Sequence, residues 1–399
     1  MKTVLFVAYG SGHIKMVVPV AQALAASGRA RPVVLALTTA APVALAAGLD
    51  VVQFKDFVEP GDEAALAYGR RLMASLGAPV ADVDETVAYL GLSFFDLVQG
   101  MGSDHAEADY RLRGRQAFLP VPTLRRILQS VKPDLVVATN APRAERAAIV
   151  AARQLGVPSV CMVDLFAIDE VQWIGAPDYA DRVCVLNESV RQFLIQAGRQ
   201  PDKVVVTGNP GFDALQRPST RERGSELRRA RGWDDKRVIL WPNQVEPSVH
   251  PFEGRPGSPD LPARVLVELL GWVQSRADGV LCVRARAGES LPGVPVDPRV
   301  VLTGQDWPLG PLLYAVDMVV TLSSTVGLEG RLAGCRLIQV LGSVFDDAMP
   351  LARFGLADEA VPLDGVARAL DRWRCAPRHA FTAGPSATPA VLEVISEFL

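Results

Sequence analysis

Three hydroxyl side chains in a row, Ser323-Ser324-Thr325, follow the apolar run Met318–Leu322 and stand directly before a segment with helical spacing. An apolar strand that delivers such residues to a helix start gathers hydroxyls and unpaired backbone N–H groups in one place, which suits a diphosphate. Glu329 stands four residues after Thr325, one turn along the same helical face, where a carboxylate can accept both hydroxyl protons of a ribose. The plain alternative is an ordinary helix cap with a surface glutamate. A second turn, Gly10-Ser11-Gly12-His13, ends the apolar run Thr3–Ala8 and opens another helical segment. Its glycines let N–H groups approach an anion, and a histidine there can serve as a catalytic base or a substrate contact, or simply pack. The turn is not a dinucleotide fingerprint. Lys15 stands where that pattern needs a third glycine, and the next strand ends in Thr38-Thr39-Ala40 with no acid for a ribose.

Other polar residues also sit at the ends of apolar runs. Asn140 and Asp164 do so in the first half of the chain, and Asn243-Gln244 and Gln305-Asp306-Trp307 in the second. Any one of them fits a turn. Together they line the carboxyl ends of strands, where parallel sheets bind their ligands. Asn209 and Asp213 lie in a Gly/Pro-rich turn and read as hinge or cap. No Walker loop, EF-hand loop or hydrolase triad of known spacing is present.

The elements that must position these residues follow one rhythm, a short β-branched run, a small-residue turn and then a helical pattern. Strands are expected at 3–8, 32–37, 51–54, 135–139, 159–164, 182–186 and 204–207, with helices at 14–27 and 143–155. The rhythm restarts after Gly208-Asn209-Pro210-Gly211, with strands at 238–241, 280–284, 300–302, 318–322 and 336–340 and helices at 261–276, 311–315 and 326–333. Fully apolar strands alternating with helices predict parallel sheets covered on both faces, hence two doubly wound α/β domains, 1–212 and 213–399. The last helix, Pro389–Leu399, fits either domain. Residues 60–130 follow the rhythm least, and read as an insertion that carries specificity or as a helical extension of the core.

Composition narrows the function. The chain has 399 residues, 49% of them hydrophobic and 21% charged, which is ordinary for a globular protein and excludes disorder or coiled coil as the main architecture. Lys and Arg total 41 against 44 Asp and Glu, so no global positive charge attracts nucleic acid. The five cysteines are scattered and only four histidines are present, so the expectation is no metal site and reduced thiols in a cytoplasmic protein. Met1–Tyr9 reads as a strand, too short for a signal peptide. The 18 uncharged residues Pro32–Leu49 read as strand, turn and short helix, because two prolines and a glycine interrupt them. The cluster Arg221, Arg223, Arg228, Arg229 and Arg231, interleaved with Glu222 and Glu226, reads as a solvated helix at the domain junction. Peripheral docking on the inner face of an anionic membrane is its alternative reading.

Taken together, these motifs resemble the two-domain GT-B superfamily of nucleotide-sugar glycosyltransferases and the non-hydrolysing UDP-N-acetylglucosamine 2-epimerases. Gly10-Ser11-Gly12-His13 is similar to the glycosyltransferase turn that ends in histidine, and Ile14-Lys15-Met16 with Pro19 to the epimerase helix after it. Thr207-Gly208-Asn209 with Asp213-Ala214-Leu215 resembles the epimerase domain junction. Ser323-Ser324-Thr325 with Glu329 matches the shared pattern in which a serine opens the phosphate turn and a glutamate holds the ribose.

The resemblance implies two Rossmann-like domains facing across a cleft. The second would hold a nucleotide sugar, UDP-linked by preference, through Asn243, Gln244, Gln305, Asp306, Trp307, Ser323, Ser324, Thr325 and Glu329, with Gly12 approaching from the first. The first would hold the glycosyl acceptor, with His13 and Asp164 as catalytic residues, and no metal or other cofactor is implied. Where the epimerases carry His-Val-Glu-Ala-Gly-Leu-Arg this chain reads Met162-Val163-Asp164-Leu165-Phe166, and where they carry a His-Arg-rich loop it reads Pro242-Asn243-Gln244-Val245-Glu246. The departures imply sugar transfer to an acceptor hydroxyl, with an epimerase or nucleotide-sugar hydrolase as the alternative.

Overall fold

The computed structural model describes residues 1–10, 12–76, 82–250, 253–285, 296–304, 306–379 and 386–399. The chain divides into two compact units, Met1–Gly211 with Pro385–Leu399, and Phe212–Gly384.

The first unit opens with β1 (Lys2–Ala8), α1 (Gly12–Ser27), β2 (Ala30–Ala36), α2 (Ala40–Ala46) and β3 (Asp50–Val52). Residues 60–130 take the helical option, as α3 (Glu63–Ala74), α4 (Val83–Met101), α5 (Ser103–Arg113) and α6 (Val121–Val131). The alternation resumes with β4 (Leu135–Thr139), α7 (Ala144–Gln154), β5 (Ser159–Met162), α8 (Val171–Ile174), β6 (Arg182–Val185), α9 (Glu188–Gln196) and β7 (Val204–Val206). The second unit holds α10 (Pro218–Ala230), β8 (Arg237–Pro242), α11 (Leu261–Gln274), β9 (Gly279–Arg284), β10 (Val300–Thr303), α12 (Leu309–Ala315), β11 (Met318–Thr321), α13 (Thr325–Leu332), β12 (Arg336–Val340), β13 (Glu359–Val361) and α14 (Val366–Trp373), before α15 (Ala387–Ser396) closes the chain. The short β13 and the helix α14 have no forerunner in the sequence reading, and the third strand is shorter than expected because a 3₁₀ turn begins at Phe54.

Both sheets are wholly parallel. The first runs β3-β2-β1-β4-β5-β6-β7 and the second β10-β9-β8-β11-β12-β13. In each, chain order reverses once, between β1 and β4 and between β8 and β11. The crevice at such a reversal is where doubly wound sheets bind ligands. β1, β4 and β11 have few or no exposed residues, as strands covered by helices on both faces require. One core packs α1 and α2 with Val391, Val394 and Ile395 of α15 against the first sheet, and a second packs Trp241, Trp272 and Leu370 against the other. The apolar face of α15 thus assigns the last helix to the first unit. Gly10 lets β1 close against the turn after β2, since a Cβ there would lie 1.9 Å from Thr39 Oγ1.

A partly buried ion pair anchors α10 to the second sheet. Asp317 Oδ2 accepts the Val238 N–H at 2.9 Å and Arg228 Nη1 at 3.2 Å, and Arg228 also donates to the carbonyl of Ala315. Asp317→Ala leaves a strand N–H and a guanidinium short of an acceptor, so unfolding should become easier by about 2 kcal/mol. Chemical denaturation checks this, and a midpoint within error of the parent counts against it.

In the first unit Glu85 is 2% exposed and accepts the Lys55 N–H at 3.0 Å. Burial, the largest influence, pushes its carboxyl up to about 7. A carboxyl raised on folding stabilises the fold below its ordinary range and loses that advantage as pH climbs from about 4.5 to about 7. Glu85→Gln keeps an acceptor for Lys55 and cannot ionise. Its stability relative to the parent should rise by about 3 kcal/mol between pH 4.5 and pH 8. Melting curves at the two pH values test this, and a constant difference would remove Glu85 as the cause.

Candidate functional site

Each unit carries polar residues at its point of chain reversal. In the second, β11 ends at Thr321, and Ser323 and Ser324 form the link to α13. Ser324 is the N-cap, its Oγ accepting the Val326 N–H at 3.2 Å. Across the reversal, β8 carries the chain to Asn243 and Gln244. Asn243, Gln244, Ser323 and Ser324, four of the residues expected from sequence, line one cavity of about 480 Å³ together with Arg284, Val245 and Phe345.

The N–H groups of this turn are already engaged, contrary to the expectation of bare donors. Gln244 Oε1 accepts from Leu322 N at 3.0 Å, Ser323 N at 3.3 Å and Thr321 Oγ1 at 2.9 Å, while its Nε2 donates to Ser323 Oγ at 3.1 Å. The next residues are held firmly, since Glu246 accepts Ser343 Oγ at 2.8 Å and the Val344 N–H at 2.7 Å.

Arg284 is the residue of this site that sequence reasoning missed. It ends β9, lines the cavity, and donates from Nη1 to the Trp307 carbonyl at 2.9 Å. Burial lowers its guanidinium, with Glu329 and Asp306 opposing. Those two acids therefore lie within its electrostatic reach. The available signal was an arginine at the end of an apolar strand. Trp307 has two ring partners, the Arg231 guanidinium 4.3 Å from its centroid and Trp233 stacked at 6.5 Å. Thr325, Glu329, Asp306 and Trp307 do not line the cavity itself. Gln305 and Ser11 lie outside the described residues.

In the first unit, Gly12 opens α1 and His13 follows it. A Cβ on Gly12 would meet nothing within 4 Å, so packing does not require glycine there. His13 Nδ1 is buried without a hydrogen-bond partner. Its charged neighbour is Glu145, in the first turn of α7, fully buried and accepting the Tyr9 N–H at 2.7 Å. Burial raises the Glu145 carboxyl, and His13 is the largest influence pulling it back. Its second oxygen has no partner. Sequence reasoning passed over Glu145, although an acid in the first helical turn after a strand at the chain reversal was there to be read.

Asp164 belongs to a cluster at the ends of β4, β5 and β7. Its N–H donates to Asn140 Oδ1 at 3.0 Å, and its carbonyl accepts Asn209 Nδ2 at 2.8 Å. Glu170, also unforeseen, joins them. Burial first, and then the Asp164 charge, push its carboxyl up to about 7, against a bond from Asn140. Ala167, between the two acids, is held at φ 54°, a left-handed conformation that costs a non-glycine residue about 1 kcal/mol or more. Glu170, raised toward neutrality beside a second carboxyl, is suited to acid–base work.

Among the described residues, no group of three or more His, Cys, Asp or Glu is placed to hold a metal ion, and no helix is long and apolar enough to cross a membrane. Cys161, Cys184, Cys282 and Cys335 are buried free thiols and Cys375 is exposed.

Two parallel doubly wound units in this strand order define the GT-B fold, and solved structures share it over the whole chain. The UDP-GlcNAc 2-epimerase from Neisseria meningitidis, solved with UDP-GlcNAc bound, is 12% identical with a TM-score of 0.61, covering 99% of this chain and 100% of its own. The UDP-GlcNAc 2-epimerase from Methanocaldococcus jannaschii is 11% identical with a TM-score of 0.60, covering 100% of both chains. A glycosyltransferase from Rickettsia africae is 12% identical with a TM-score of 0.54, covering 100% of this chain and 98% of its own. No protein-family model and no curated protein matches the chain.

Proposed function

We propose that this protein is a glycosyltransferase that moves a sugar from a nucleoside diphosphate donor, UDP by preference, to an acceptor hydroxyl. The cavity at the β8/β11 reversal carries this reading, because it gathers Ser323, Ser324, Asn243, Gln244 and Arg284. Hydroxyls, the Asn243 amide and one guanidinium suit a diphosphate directly. As the glycosidic bond breaks, negative charge grows on the leaving diphosphate. Donors and a cation fixed there stabilise the transition state more than the ground state. Glu329 takes the ribose hydroxyls, and Asp306 and Trp307 border the base. UDP-GlcNAc in the structurally similar Neisseria protein supports the choice of nucleotide. In the first unit His13, backed by Glu145, removes the proton of the attacking hydroxyl.

A second reading, epimerisation of a nucleotide sugar, is favoured by the Asp164–Glu170 pair. Glu170, its carboxyl pushed up to about 7, can give a proton to a sugar carbon or take one from it near neutral pH, with Asp164 beside it as the second carboxyl such an exchange needs. Incubation with a panel of nucleotide sugars separates the two. Transfer predicts nucleotide release that rises when an acceptor extract is added. An altered sugar still joined to its nucleotide, formed without acceptor, would establish the epimerase. A chain that neither binds nor consumes any nucleotide sugar would overturn both.

A further inference from the structure

One carboxamide oxygen in the second unit has more donors than it can serve. Gln244 Oε1 receives Thr321 Oγ1 at 2.9 Å, Leu322 N at 3.0 Å and Ser323 N at 3.3 Å. Two of these are backbone N–H groups, which can only donate, so the accepting atom must be the oxygen. A neutral carbonyl offers two lone pairs. Three donors converging on one point, two of them successive backbone N–H groups, form the kind of concavity that holds an anionic oxygen. Gln244 and Ser323 line the cavity of about 480 Å³ together with Ser324, while Thr321 and Leu322 are buried.

We propose that the Thr321–Leu322–Ser323 donors are the seat of one anionic oxygen of the ligand, and that the Gln244 carboxamide is a stand-in for that oxygen which ligand binding displaces. The inference rests on the reading of this cavity as a diphosphate site. The backbone around Gln244 is tied on both sides, by Asn243 N–H to the Arg284 carbonyl at 3.0 Å and by the bonds of Glu246 to Ser343 and Val344. The side chain alone, with three rotatable bonds, is free to swing out and leave the seat in place. While it occupies the seat, the competent fraction of the protein is reduced, and the apparent affinity falls by that fraction.

Calorimetric titration of the full chain with UDP, inorganic pyrophosphate and uridine tests the proposal on two variants. Gln244→Ala removes the competitor, and UDP and pyrophosphate should bind about three- to tenfold more tightly. Gln244→Glu fills the seat with a carboxylate, which suits three donors better than an amide and repels a phosphate, so both ligands should bind at least about tenfold more weakly. Uridine, which has no phosphate, should be indifferent to either change. If the parent binds UDP while Gln244→Ala binds it no more tightly, or Gln244→Glu binds it as well as the parent, the stand-in is overturned and the diphosphate reading stands. A parent chain that binds neither UDP nor pyrophosphate overturns both.

Discussion

Replacing His13 with alanine is expected to lower turnover by roughly 10²–10⁴-fold while leaving nucleotide affinity nearly unchanged. An acceptor hydroxyl must lose its proton as it attacks, and histidine is the side chain whose ordinary range suits that transfer at neutral pH. The split between turnover and affinity follows from the fold, since His13 belongs to the first unit and the candidate nucleotide cavity is built wholly from the second. A group acting only as charge develops lowers kcat and kcat/KM together. Glu145→Gln should give a smaller loss in the same direction, because it leaves the imidazole in place and preserves an acceptor for the Tyr9 N–H. Measured kcat and donor affinity decide the matter. Turnover of His13→Ala within fivefold of the parent would exclude it as the base.

Glu329→Ala should weaken UDP binding roughly tenfold to hundredfold, or about 1.5–3 kcal/mol, the usual cost of losing hydrogen bonds to a charged acceptor. Two observations support it. Glu329 projects from α13, the helix that starts at the hydroxyl turn, and it lies within electrostatic reach of the cavity's Arg284. The loss should be specific to ligands with a ribose. Inorganic pyrophosphate, which has none, should bind the variant as it binds the parent. Equal UDP affinity in calorimetry would return Glu329 to an ordinary surface position.

The strands were legible in the sequence because a parallel sheet buried on both faces writes itself as short uninterrupted β-branched runs. Leu135–Thr139 and Arg336–Val340 have the bounds expected of them. The turns after β1 and β11 were legible because glycines and clustered hydroxyls mark strand ends locally. β13 was not, since its three residues Glu359–Val361 are too few to carry a period and owe their strand geometry to pairing with β12. Residues 60–130 left two readings open, and the close packing of α3 on α4 at Gly69 and Gly91 shows why helices resulted. A Cβ on Gly91 would lie 2.3 Å from the Ala65 carbonyl oxygen.

By itself the sequence determined the fold class and the residues that stand at strand ends, because each of these depends on local pattern. Only the tertiary structure decided which strand ends meet. Strand order places β4 beside β1, and so brings Glu145 to His13 across more than a hundred residues. The same kind of reversal puts β11 beside β8, so that Gln244 reaches the hydroxyl turn. Folding also set the charge states. Glu170 and Asp164 are alike as residue types, and it is burial, with the Asp164 charge beside it, that raises the Glu170 carboxyl toward neutrality against a bond from Asn140, an effect of desolvation that no run of residues contains.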